Sequence, residues 1–124
     1  MRQEILEYKL KGYCCSQMIM AIGLSRLGKE NQEMVDASAG LCFGAWQGGT
    51  CGILTAANSI LYLADPVEAD GVAVRDLAEW FEDSFGSVTC KDILEDNPLN
   101  KVEKCPLLID ATLTWLGEQL EWEE

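Results

Sequence analysis

The 124 residues suit one compact domain, 1–124, and 48% hydrophobic residues are enough to build a real core. Nine Lys+Arg against 21 Asp+Glu give a formal net charge of -12, which argues against nucleic acid and anionic membrane surfaces as partners and fits a solvated surface. Histidine is absent, which excludes a His general base, a Cys–His dyad and any His-ligated haem, zinc or di-iron centre.

The chain opens with MRQEILEYKLKG, a stretch charged throughout and unlike a secretory signal peptide. Ile5, Leu6, Tyr8 and Leu10 make it a short amphipathic helix, interrupted by Gly12. A second helix is expected from about Tyr13 to Leu27, with Cys15, Ile19 and Ile22 on one face and Gly28 ending it. A third covers roughly Gln32 to Cys42, with Met34, Val35, Ala39 and Cys42 apolar. A glycine-rich loop, Gly44 to Gly49, leads to a fourth helix from about Thr50 to Ala64, with Pro66 just past its end. A fifth is expected from about Asp70 to Phe85, burying Val74, Leu77, Trp80, Phe81 and Phe85, with Gly86 as its stop. A helical turn, CKDILED, follows, and Pro98 breaks it. The last helix starts near Pro106 and carries Leu108, Ile109, Ala111, Leu116 and Leu120, before a tail, EWEE, expected to fray. Strand alternation is weak, so the fold class is all-α, a single domain of five to six helices. No apolar run approaches the ~18 residues that span a bilayer, so a cytoplasmic chain without membrane insertion is expected. In a reducing compartment six cysteines point to a metal or redox site rather than a disulfide framework.

The cysteines fall at helix starts. Cys51 follows Thr50, a good N-cap, and Cys90 follows Thr89, another. Cys105 precedes Pro106, and Pro favours the first helical position, which makes Cys105 itself the expected N-cap. Cys15 lies in the first turn after Gly12. Helix N-termini carry unsatisfied N–H groups and partial positive charge, so a thiol there ionises more readily, and the thiolate is both nucleophile and metal ligand. Any one cysteine in a helical core is usually packing, and these four contain no C-x-x-C pair; the repeated context is what suggests a shared thiolate site. Cys42 reads as a small buried hydrophobe, and Cys14 as core rather than a back-up thiol. Gly48, Gly49 and Thr50 form the loop before Cys51; the glycines serve a tight turn or let backbone approach the sulfurs. Trp46 reads as a core aromatic rather than a shield over the site, and Trp80 and Trp115 as core. GAWQGG lacks the Gly-Lys-Ser/Thr ending of a phosphate loop, and Glu79, Glu82 and Asp83 read as a solvated helix face.

The order of these cysteines resembles a family of prokaryotic proteins described as redox-active, of similar length and defined by four cysteines and a C-G-A-x-x-G motif. The stretches GYCCSQ, GGTCGILTA, FGSVTC and KCPLLIDA carry the likeness, which covers nearly the whole chain. Ile53 and Ala56 stand where that motif has Ala and Gly. The resemblance implies that Cys15, Cys51, Cys90 and Cys105 are the four family cysteines. A related domain is joined to haem domains in split-Soret cytochromes, where an iron–sulfur centre is implied. The leading expectation is therefore an iron–sulfur cluster on these four thiolates, passing one electron to a redox partner the sequence does not identify. The alternatives are thiol–disulfide chemistry without metal, with Cys51 attacking and Cys15 or Cys90 resolving; a structural zinc site; and a binding module whose cysteines only pack. The apolar fourth helix also offers a face for self-pairing, which suggests a homodimer.

Overall fold

The computed structural model describes residues 2–122. Its elements run α1 (Gln3–Leu10), α2 (Cys15–Arg26), α3 (Gln32–Ala37), a 3-10 turn at Ser38–Leu41, an irregular turn at Gly44–Gly48, α4 (Gly52–Ala64), α5 (Pro66–Glu68), α6 (Val74–Phe85), α7 (Cys90–Ile93), a 3-10 turn at Pro98–Asn100 and α8 (Lys101–Leu120). Among the described residues five helices reach eight residues or more, and the only β-type pairing is one isolated bridge. The all-α expectation holds.

α2 and α4 pack together at the centre because their shared surface carries no charge. Ile19, Ile22, Ile53, Ile60 and Leu61 lie there, each essentially inaccessible. Gly23 permits the close approach, since a Cβ there would stand 2.6 Å from the Ile60 side chain. α6 and α8 close the core from the other side with Leu77, Phe81, Leu113 and Leu116. Trp80 stacks on Trp115 at 5.8 Å, and both are partly buried against the core as expected. The apolar character that suggested self-pairing of α4 is thus spent inside the chain, against α2, α6 and α8.

α1 is held to this core by Ile5 and by two ion pairs. Arg26 grips the Glu4 carboxylate with both terminal nitrogens, one at 2.9 Å. That hydrogen bond holds the Glu4 carboxyl below its usual range. Arg2 reaches α8, where its Nε donates to Asp110 Oδ1 at 2.8 Å.

Several boundaries differ from the sequence expectation, for local reasons. α3 stops at Ala37, not Cys42, and tightens into the 3-10 turn before Cys42 turns extended. α6 begins at Val74, not Asp70, because Gly71 has φ 79° and Asp70 an extended ψ, which separate it from the α5 turn. Gly28 and Gly86 end their helices as expected, with φ 71° and 84°. The largest shift is at the last helix. It starts at Lys101 and carries Pro106 inside, so Cys105 is not its N-cap but lies a turn within it. The start signal sits earlier, where Asn97 Oδ1 accepts from the Leu99 amide and Pro98 opens the 3-10 turn that runs into α8. Cys51, rather than Thr50, is the N-cap of α4. The C-terminal EWEE tail lies partly outside the described residues, whose last is Trp122.

Candidate functional site

Two loops distant in sequence meet through their backbones. Thr50 and Thr89 form the isolated antiparallel bridge. The Cys51 amide donates to the Val88 carbonyl and the Cys90 amide to the Gly49 carbonyl, each at 2.7 Å. Both cysteines are thereby fixed by their own N–H groups, Cys51 at the mouth of α4 and Cys90 at the first position of α7.

The glycine-rich loop makes that meeting sterically possible. The Gly49 amide donates to the Gly44 carbonyl at 3.0 Å, and a Cβ on Gly44 would overlap the Gly49 backbone. Gly48 has φ 71° and faces the Lys91 side chain. The glycines therefore serve the turn. Phe43, Ala45 and Trp46 also adopt left-handed backbone, with φ 51°, 59° and 61°. Such a conformation costs an L-residue about 1–2 kcal/mol, so this segment must be held by its surroundings.

Cys15 is the first residue of α2, and Cys105 comes from α8. Cys15, Cys90 and Cys105 line one cavity of about 290 Å³, together with Met18, Phe43 and Trp46. Cys51 lies behind this wall, 4% exposed, yet close enough to feel the charges of Cys15 and Cys90. All four are free thiols. Lys9 and Lys101 border the same cavity, which sets two cations beside the thiols in an otherwise acidic chain.

The thiols are not electrically equivalent. A hydrogen bond from the Cys105 thiol pulls the Cys15 pKa down to about 7; burial opposes it, and the Ser16 hydroxyl with the Ser16 and Phe43 amides helps. Cys105 is pushed up in turn, first by holding its proton for Cys15 and then by burial. The pair thus shares one negative charge. Cys51 is pushed up to about 12, chiefly by burial, although the Ile53 and Leu54 amides of its helix end favour the thiolate. Cys90 is raised by burial and by Cys15, with Lys101 opposing. The expectation that a helix N-terminus makes each thiol acidic is therefore corrected: Cys15 is acidic chiefly because the Cys105 thiol donates to it, with backbone amides helping, while desolvation wins at Cys51 and Cys90. Cys51 also does not suit the attacking role expected of it, and the acidic thiol with an adjacent partner is Cys15, beside Cys105.

Above the ordinary thiol value of 9 both the folded and unfolded chain carry the Cys15 thiolate; the stability this gives is lost as pH falls through about 7. In metal-free protein Cys15 is expected to be alkylated first, with a rate that titrates near pH 7. In Cys105→Ala that midpoint should climb toward 9, as followed by mass spectrometry of iodoacetamide adducts. A Cys15 midpoint near 9 in the unaltered chain would refute the pairing.

Three readings of individual residues are overturned. Cys42 is not a packing thiol and Cys14, half-buried, is not core: the two are disulfide-bonded, with Cα atoms 6.4 Å apart. Trp46 is not core. It is 65% exposed on the rim of the cavity, and its Nε1 donates to the Ala39 carbonyl at 2.9 Å. One residue passed over in the sequence is Ser16, whose hydroxyl is wholly buried next to Cys15 and favours its thiolate. No sequence signal marks it beyond its place after Cys15.

Among the described residues no group of three or more His, Cys, Asp or Glu side chains is arranged to hold a metal ion. No described helix is long and apolar enough to cross a membrane. A family model described as "Putative redox-active protein (C_GCAxxG_C_C)" matches residues 13–119. The chain belongs to this family. The match takes in all six cysteines and every helix from α2 to nearly the end of α8. Membership confirms the resemblance seen in the sequence, and makes this a member of a family described as redox-active. No match to the chain was found among curated proteins or among solved structures.

Proposed function

We propose that Cys15, Cys51, Cys90 and Cys105 hold an iron–sulfur cluster and that the protein transfers single electrons. The observation that carries this reading is the convergence of four free thiols from distant parts of the chain: Cys15, Cys90 and Cys105 line one cavity, and Cys51 sits behind its wall, close enough to feel the charges of Cys15 and Cys90. Four thiolates are a sufficient ligand set for such a cluster, which would supply a one-electron couple. The donor set fits in three further ways. The cavity of about 290 Å³ leaves room between the thiols, whereas a single zinc ion, bound at about 2.3 Å by each sulfur, would require them to close on one point. The buried Ser16 hydroxyl stands beside Cys15 and favours its thiolate form. Lys9 and Lys101 offset the negative charge of a four-thiolate site.

A second reading is supported by the Cys15–Cys105 hydrogen bond: an acidic thiol beside a protonated one is the arrangement from which a disulfide forms. One experiment separates the two. Protein purified without oxygen is expected to show broad absorption from about 300 to 700 nm, with iron and acid-labile sulfide, and Cys51→Ala is expected to lose all three. A colourless, iron-free sample that resists reconstitution would sink the cluster. About one zinc per chain would replace it with a structural metal. Loss of two thiols on oxidation, without metal, would favour the Cys15–Cys105 couple.

A further inference from the structure

The cavity lined by the free thiols of Cys15, Cys90 and Cys105 has a second sulfur pair in its wall. Cys14 and Cys42, joined as a disulfide, both line it. Cys14 is the N-cap of α2 and the covalent neighbour of Cys15. Cys42 opens the left-handed segment, and its neighbour Phe43 directs an amide at the Cys15 sulfur. The disulfide therefore joins, in one covalent link, the helix start that carries Cys15 and the loop that donates to it.

We propose that Cys14–Cys42 is a second redox site, a two-electron latch opened by a dithiol reductant, which fixes the loop from Phe43 to Gly49 against α2. Three observations support it. Cys14 is partly exposed and borders the cavity, while Cys42 is 3% exposed, so an incoming thiolate reaches Cys14 and Cys42 is the leaving sulfur. The segment beyond Cys42 has left-handed backbone at Phe43, Ala45 and Trp46, a conformation that persists only under restraint. Its other hydrogen-bonded restraints lie at its end or on one side chain: the Gly49–Gly44 bond, the Cys90 amide on the Gly49 carbonyl and the Trp46 indole bond to Ala39.

The reaction balances as ordinary thiol–disulfide exchange. A thiolate of the reductant attacks Cys14 Sγ, forms a mixed disulfide and releases Cys42 as a thiolate that takes a proton. The second thiol of the reductant then attacks the mixed disulfide, releasing Cys14, which is protonated. The reductant leaves as a disulfide, and the protein has gained two electrons and two protons. The latch uses neither Cys51 nor any metal, so it stands or falls apart from the cluster.

The test is a dithiothreitol titration of the folded chain, with thiols trapped by N-ethylmaleimide and backbone amides followed by hydrogen exchange. Cys14 and Cys42 are expected to label together, two new thiols per chain, at reductant concentrations that leave the helical circular dichroism unchanged. The amides of residues 43 to 49 should then exchange about tenfold faster, with those of α4 and α6 unaltered. The double variant Cys14→Ser/Cys42→Ser should reproduce the fast exchange without reductant. If that variant does not fold, the titration of the unaltered chain still decides. Labelling only when the helices unfold would make the bond a structural staple and overturn the proposal. Reduction that leaves residues 43 to 49 unchanged would overturn it equally, as would finding Cys14 and Cys42 unbonded in protein trapped at lysis.

Discussion

Gly52→Ala is expected to destabilise the fold by about 3 kcal/mol, at the upper end of the usual overpacking penalty. Gly52 is the first residue of α4, and a Cβ there would overlap both the Ser16 hydroxyl and the Leu41 carbonyl oxygen. The intrinsic gain of Ala over Gly in a helix, roughly 1 kcal/mol in an interior, is smaller and weaker still at a first position. A side chain could swing away, but the Leu41 oxygen is backbone and Ser16 is fully enclosed. Relief must therefore come from moving the start of α2 or the turn before Cys42, and both carry the site. In urea the midpoint should fall with an unchanged slope. Adding Ser16→Ala should restore only part of the loss, because the Leu41 carbonyl still obstructs. A penalty below about 1 kcal/mol for Gly52→Ala would show that the three segments are not in close contact.

Phe81→Ala is expected to cost about 4 kcal/mol. Phe81 is wholly enclosed, edge-on to Phe85 at 4.8 Å and to Trp80 at 6.3 Å. Its removal forfeits the transfer of a large ring and leaves a void that the indole of Trp80, stacked on Trp115, cannot readily fill. The melting temperature should drop by about 15 °C or more in a domain of this size. Phe81→Leu, which keeps most of the volume, should cost about 1.5 kcal/mol or less. Because Phe81 is on α6 and does not line the thiol cavity, the Leu variant should retain any chromophore. A chromophore lost in Phe81→Leu at full folding would contradict the placement of the site.

The long helices were legible because periodicity reports burial directly. Leu77 and Phe81 on α6, and Ile19 and Ile22 on α2, are residues that their spacing places inside. The start of α8 was obscured because two proline signals compete. Pro106 follows Cys105, but the asparagine that caps is Asn97, before Pro98, and nothing local says which pair opens the helix. The proton affinity of Cys51 was obscured for another reason. A helix end is visible in sequence, whereas desolvation depends on what packs over the thiol, and it is the larger effect. The Cys14–Cys42 bond has no local signature, because proximity of residues 28 apart depends on the turn after α3. Trp46 looked buried by composition. The left-handed turn that carries it to the rim could only be suspected from the surrounding glycines.

The bridge between the Thr50 and Thr89 segments has a consequence for how the site comes into being. Cys51 and Cys90 hydrogen-bond across to each other's loops, Cys15 leans on Cys105, and no two of the four free thiols lie in one local stretch of chain. The entropy of closing such large loops is met only by the global fold, so no excised peptide can reproduce the ligand set. The site would mature last in biosynthesis, after α8 has left the ribosome and docked. Until then the four cysteines stay apart, so the proposed centre would be acquired in a late, all-or-none step of folding rather than a local event.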